Sequence, residues 1–489
     1  MSRALVIGGG FGGMAAALRA RKRGYDVTLI ERCESLGGRA QVFTDQGFRF
    51  DAGPTVITAP FLFEELFTLF DRRLEDYVEM VALDIWYQFY FQDGRTFDYG
   101  TDMSATLASI RRFNERDVQG YQNLLKTSKE IFEIGFEQLA DRPFHQFSTM
   151  AAQIPALLKL KSYRSVWQMV CAHIEDDSLR QAFSIPPLLV GGNPFRTTSI
   201  YGLIPWLERK WGVHFPMGGT GALVAALEKL MRDVGITIET GTTVRRILSE
   251  HGRANGVELE SGEKLPAQVV ISNADAAHLY TNMVDQVSTS ARLKLAGARY
   301  SMGLFVLYVG TNRQFPQAEH HTIWMGQRYR ELLEDIFEHR VLANDFSLYA
   351  HRPTATDPSF APPGCDSFYI LAPVPNLQGD VDWSHEGDRL GDAIIDALDR
   401  TTLPGFRESI VTRFHMTPAD FSERYLSMHG TGFSIAPIFR QSAWFRFHNK
   451  SEVLENLYLT GAGTHPGAGL PGVLSSARVV DHLLPDADA

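Results

Sequence analysis

The run Ala4-Leu5-Val6-Ile7-Gly8-Gly9-Gly10-Phe11-Gly12-Gly13-Met14-Ala15-Ala16-Ala17-Leu18-Arg19-Ala20 decides the fold. A short branched apolar run has the length of a buried strand. Glycines follow without a break, and then a run of good helix formers. A second strand reads Asp26-Val27-Thr28-Leu29-Ile30, and Glu31 closes it. Strand, glycine turn, helix, strand and acid in this order predict a dinucleotide-binding βαβ unit. Gly8 permits the tight turn out of the strand, Gly10 lets the backbone approach a pyrophosphate, and Gly13 lets the helix lie on the sheet. Phe11 stands in the same turn, where the helix N-terminus offers unpaired N–H groups and a partial positive charge to a diphosphate. Glu31 is where such a unit presents a carboxylate to a ribose hydroxyl. A lone GxGxxG is a weak signal; the strand, the helix and the acid around it carry the assignment.

The next residues outward favour FAD over NAD. Arg32 follows the acid, then Leu36-Gly37-Gly38-Arg39, then Phe50-Asp51-Ala52-Gly53-Pro54-Thr55. An arginine behind glycines can reach a phosphate or hold a ribityl chain with its planar fork of donors. The alternative for Arg39 is a solvated surface turn. A Rossmann start followed at once by Gly-Gly-Arg resembles the flavin-binding opening of the amine-oxidase-like flavoproteins. Arg32, Gly38, Arg39, Pro54, Thr55 and, further on, Val244 join the candidate cofactor-binding residues.

At 489 residues the chain exceeds one simple core. A net charge of −10 gives no basic excess, so no nucleic-acid partner is expected. Cys33, Cys171 and Cys365 are odd in number and far apart, which argues against a disulfide framework and for a reducing, cytoplasmic compartment. No thiolate pair has metal-site spacing, and His320-His321 lacks a third ligand at a useful distance in sequence, so no metal is expected. No stretch is long and apolar enough to span a bilayer, so any membrane contact is with one face.

Residues 60–70 read as a short helix, 86–99 as an aromatic hairpin of sheet core, 104–140 as helical, and 301–310 as a buried strand. Residues 150–170 mix aliphatics, aromatics, lysines and an arginine, which suits a helix lying in a membrane interface; the alternative is an ordinary amphipathic helix on a core. Residues 215–224 form a second glycine-rich helix entry, and Val244 lies in a strand of the region that returns to the nucleotide domain. The stretch Leu457-Tyr458-Leu459-Thr460-Gly461-Ala462-Gly463-Thr464-His465-Pro466-Gly467-Ala468-Gly469-Leu470-Pro471-Gly472 again runs from strand through glycines into a helix. A second helix N-terminus there can face the flavin ring, with Gly463, Gly469, Leu470 and Gly472 as candidates. The expected fold is α/β: a Rossmann-like FAD-binding domain from discontinuous segments (residues 1–75, 212–285 and 445–489), a mixed-sheet substrate domain (76–130 and 286–444), and a helical lid and membrane-docking region (131–211).

Seven stretches, residues 46–58, 189–195, 215–224, 329–332, 372–375, 441–446 and 461–472, closely resemble the bacterial-type phytoene desaturases of carotenoid synthesis. They span almost the whole chain, and Gly-Ala-Gly-Thr-His-Pro-Gly-Ala-Gly near the C-terminus is the most specific. The resemblance implies FAD as redox cofactor and 15-cis-phytoene as substrate, successively desaturated toward neurosporene or lycopene. It also implies peripheral, monotopic attachment to one face of a membrane, with oxygen or a quinone as final electron acceptor. Because phytoene has no polar handle, a long apolar tunnel must recognise it. Hydride removal leaves an allylic cation whose neighbouring proton a weak base or water can take, so no catalytic residue is assigned. His465 is expected to hold the flavin loop rather than to titrate in the reaction, and Glu208 and Trp211 are candidate tunnel-wall residues. The alternatives are a desaturase or isomerase for another carotenoid, or a non-catalytic isoprenoid-binding escort of the same fold.

Overall fold

The structure, a computed structural model, describes residues 2–487. Its nucleotide sheet has five strands in the spatial order Leu457–Leu459, Val269–Ser272, Arg3–Ile7, Asp26–Ile30, Thr237–Glu239, all paired in parallel. A parallel sheet must be covered on both faces, and the central strand shows how. Ala4 and Val6 pack among the residues of helices Phe11–Lys22, Thr220–Asp233 and Leu470–Leu483. Leu5 and Ile7 pack on the other side, against an antiparallel sheet of Val244–Glu250, Arg253–Leu259 and Lys264–Pro266.

The second large sheet has seven strands, ordered Ile410–Met416, Gly303–Thr311, Asp366–Val374, Leu348–His351, His321–Trp324, Ile85–Tyr90, Thr96–Gly100. It is mixed, because Ile85–Tyr90 joins His321–Trp324 in parallel while the other pairings are antiparallel. The hairpin aromatics Trp86, Phe89, Phe97 and Tyr99 sit in the core between this sheet and the helices that follow it. Helix Trp383–Arg400 covers the opposite face.

Three sequence expectations need correction. The helical period over 104–140 is two helices, Met103–Phe113 and Arg116–Gly135, because Asn114 is extended between them. Residues 150–170 are likewise not one interfacial helix. Helix Phe147–Lys159 ends in a turn, Ser165 caps a new helix Val166–Cys171 through a reciprocal capping box, and Val166, Met169 and Val170 are buried in the core. Finally, His320-His321 does have a third imidazole beside it: antiparallel pairing puts His351 directly across from His321. Distance along the chain could not show this, since the contact is made across strands. Among the described residues, no helix is long and apolar enough to cross a membrane.

Candidate functional site

Two glycine-rich strand-to-helix turns meet over the C-terminal ends of the parallel strands. Gly8 leaves the first strand at φ +92, a conformation that favours glycine. A Cβ on Gly10 would come 2.8 Å from Asn273 Oδ1, while Gly38, at φ +55, lies in van der Waals range of the Gly10 backbone. Asn273, at the end of strand Val269–Ser272, is the post against which both turns lean: a Cβ on Gly461 would meet its side-chain nitrogen at 2.6 Å. It also donates to the Thr460 carbonyl at 3.1 Å. Neither helix Phe11–Lys22 nor helix Leu470–Leu483 has a side-chain N-cap, so the N–H groups of both first turns are left for a ligand.

The cavity these turns border has a volume of about 570 Å³. Gly8, Gly10, Phe11, Glu31, Arg32, Gly38 and Arg39 line it, together with Pro54, Thr55 and Val244. Gly463, Gly469, Leu470 and Gly472 line it from the C-terminal turn. Gly13 does not. Its Cβ would lie 2.0 Å from the Gly8 carbonyl oxygen, so Gly13 seats the helix on the strand and does not line this cavity. Trp211 is also outside; it packs on Phe61 and Phe132.

The charged groups are pinned before any ligand arrives. Glu31 accepts from the backbone N–H of Gly9 (2.7 Å) and of Cys33 (2.8 Å), so it fixes the glycine turn as well as facing the cavity. Arg32 donates to the carbonyls of Glu423 and Arg424 at 2.7 and 2.6 Å. Arg39 donates to Ser427 Oγ and to the Thr431 carbonyl, and its Nε is buried without a partner. Burial lowers its basicity, and the facing Asp275 partly restores it. Asp275 caps the next turn through Oδ1 and leaves Oδ2 buried and unpartnered. Uncapped helix ends, close-approach glycines and an unpaired buried guanidinium N–H form a donor set that fits a dinucleotide with an anionic diphosphate, and FAD therefore fits here.

Beyond the glycines the wall turns apolar, with Ile185, Leu189, Leu207, Ile323, Leu371 and Phe433. Glu208 is a carboxylate set among them. It is buried, accepts from Tyr87 Oη at 2.8 Å, and burial pushes its pKa up to about 7. His465 is buried against Phe144, with its Nε2–H donated to the Leu139 carbonyl at 3.0 Å. Burial pushes its pKa down to about 4, so it is a neutral strut near neutrality, in keeping with its expected role in the loop. Asn273, Asp275, Ser427 and Tyr349 were not singled out as site residues from sequence. Asn273 and Asp275 follow a buried strand in an Asn-Ala-Asp cap, which was a usable signal; Ser427 and Tyr349 arrive from distant segments and had none.

Comparison with known proteins agrees with this architecture. Residues 11–480 match the family described as flavin containing amine oxidoreductase. A lycopene-forming phytoene desaturase from Pantoea ananas is 47% identical over 487 residues, covering 99% of both chains. A neurosporene-forming phytoene desaturase from Rhodobacter capsulatus is 42% identical over 496 residues, covering 100% of this chain and 94% of that one. Among solved structures, an oxidoreductase from Methanosarcina mazei superposes with a TM-score of 0.66 at 18% identity, over 98% of this chain and 100% of that one; this likeness concerns the fold.

Proposed function

We infer the reaction from one premise: the chain belongs to the flavin-containing amine oxidoreductases, and within them to the phytoene desaturases. It desaturates 15-cis-phytoene with FAD, toward neurosporene or lycopene, in carotenoid biosynthesis. The observation that carries this reading is the two-part cavity, glycine turns and helix N-termini at one part and aliphatic wall at the other. FAD, when bound, supplies the two-electron acceptor for a hydride leaving an allylic carbon.

The residues of the chain supply placement, dryness and a proton site. Ile185, Leu189, Leu207 and Ile323 make a wall that can select a hydrocarbon only by shape. Glu208 is the carboxylate set among them. At neutral pH a large fraction is deprotonated, so Oε1, held by the Tyr87 hydroxyl, can take the proton released when the second C–H bond breaks. Tyr349 closes the wall by bonding Thr55 Oγ1 at 2.5 Å, and His465 braces the C-terminal glycine loop against residue 139.

Delivery of an insoluble substrate is assigned to helix Phe147–Lys159. Phe147, Ile154 and Leu158 are exposed, while Met150, Gln153 and Leu157 of the same helix line the cavity. Lys159 and Lys161 flank the exposed patch, as suits lipid head groups. A hydrocarbon can thus pass from one leaflet into the cavity without meeting bulk water. Peripheral attachment to the cytoplasmic membrane face and reoxidation by oxygen or a quinone complete the proposal.

The test is a spectrum. Purified protein, FAD and phytoene-loaded liposomes are mixed with oxygen or a quinone, and a red-shifted polyene is expected. FAD binding without a coloured product would sink the substrate assignment, and failure to bind FAD would sink the flavin assignment.

A further inference from the structure

His320, His321 and His351 come together at the end of the paired strands His321–Trp324 and Leu348–His351, with ligand atoms within 4.8 Å of one another. We propose that these three imidazoles form a binding site for one divalent transition-metal cation of the zinc class, a structural clamp behind the wall of the substrate cavity.

Burial and unmet bonding carry the argument. The three residues are 4%, 0% and 0% exposed. His320 Nε2, His321 Nε2 and both ring nitrogens of His351 have no hydrogen-bond partner. A buried polar atom left unpaired costs roughly 1–3 kcal/mol, and such a group in a folded protein calls for a water or an ion. Three of these four, one on each ring, are answered at once by a single cation that accepts their lone pairs.

Two of the three rings have an outer nitrogen held as a ligand requires. His320 Nδ1 is 2.7 Å from Thr356 Oγ1, and His321 Nδ1 is 2.7 Å from Tyr349 Oη. Either bond fixes its ring, and in the tautomer in which Nδ1–H donates to the hydroxyl, Nε2 is the lone-pair nitrogen, the arrangement seen around metal-ligating histidines. Burial depresses the basicity of all three, so they are neutral and able to ligate at physiological pH. The adjacent cation Arg352 is matched by Asp366 at 3.3 Å and by the Ala318 carbonyl at 2.8 Å. Three neutral nitrogen donors without thiolate suit Zn²⁺, or Co²⁺ as its substitute, and not Ca²⁺ or Mg²⁺. Metal–nitrogen bonds of about 2.0–2.1 Å ask the rings to close in by about 1 Å at most. Through Tyr349, which bonds both His321 and Thr55, the clamp would stiffen the cavity wall.

The experiment uses full-length protein without a polyhistidine tag, expressed with added zinc and dialysed before metal analysis. The expected content is about one cation per chain. Co²⁺-grown protein should show visible ligand-field bands, and X-ray absorption should report a nitrogen shell that includes imidazole. His351→Gln and His320→Gln should each lower retained zinc at least about tenfold. Native protein that holds no cation after loading overturns the proposal, as does a sulfur-containing shell or a double variant that retains zinc like the native chain. If the variants do not fold, the native cobalt spectrum and absorption shell still decide.

Discussion

Arg446 directs its guanidinium entirely at backbone carbonyls. It is 0% exposed and donates to Ile435, Gln441, Ala462 and Thr464, so one side chain ties the C-terminal glycine loop to the segment before it. Removing it orphans four buried acceptors. Arg446→Ala should therefore destabilise the fold by about 3 kcal/mol or more, seen in denaturant melts, and should release FAD on dilution. Arg446→Lys keeps the charge but not the fork and should recover only part of the loss. Glu208 makes a different prediction. Its folded pKa of about 7 lies above the model-peptide value of 4.5, so the folded state binds more protons between them. Stability from this group is full below the unfolded value and falls as pH rises through the folded one, by on the order of 3 kcal/mol. Glu208→Gln should match the native protein in melts at pH 5 and exceed it at pH 8. The same variant should slow desaturation by roughly 10–100-fold and flatten the rise of rate with pH, since water can replace only part of a positioned base. An unchanged rate profile would remove Glu208 from the proton path.

At the scale of elements, the first helix depends on one missing methyl group. A Cβ on Gly13 would stand 2.0 Å from the Gly8 carbonyl, which is backbone and cannot step aside. Gly13→Ala should push the helix off the strand, weaken FAD binding and lower the melting temperature together, even though residue 13 does not line the cavity. Helix Phe147–Lys159 predicts the opposite separation. Ile154→Glu with Leu158→Glu changes only exposed positions. If this helix is the docking face proposed above, flotation with liposomes should fail while FAD content and melting temperature stay native; retained flotation would overturn that proposal. These elements also mark what the sequence made legible. The βαβ unit was readable because strand length, glycine order and helix formers are all local. The break at Asn114 and the capping box at Ser165 were missed because an apolar period continues smoothly across a change of axis.

At the scale of the molecule, α/β class and FAD chemistry were legible because glycine turns, the acid and the C-terminal glycine run each carry their meaning within a few residues. What was not legible is what long-range pairing creates: Ser427 on Arg39, Tyr349 on Thr55, and His351 beside His321. None of these has a spacing to read. The ion pairs Arg478–Glu65 and Arg19–Asp481 likewise join helices at opposite ends of the sequence, and Arg19–Glu65 ties the first helix to Phe61–Thr68. Glu65→Ala leaves the largely buried Arg19 and the partly buried Arg478 short of a counter-charge, and should cost about 1–3 kcal/mol in denaturant melts.

The parallel sheet is closed by Leu457–Leu459, which docks on Val269–Ser272, and by helix Leu470–Leu483, which packs on the first helix. A ribosome therefore delivers the opening glycine turn hundreds of residues before the segment that completes its pocket. During that interval the apolar faces of the first strand and helix lack their last partners, which is the kind of exposed surface that chaperones bind. Cofactor capture becomes the final event of biosynthesis, so flavin supply in the cell should govern how much of this protein survives quality control and not merely how active it is.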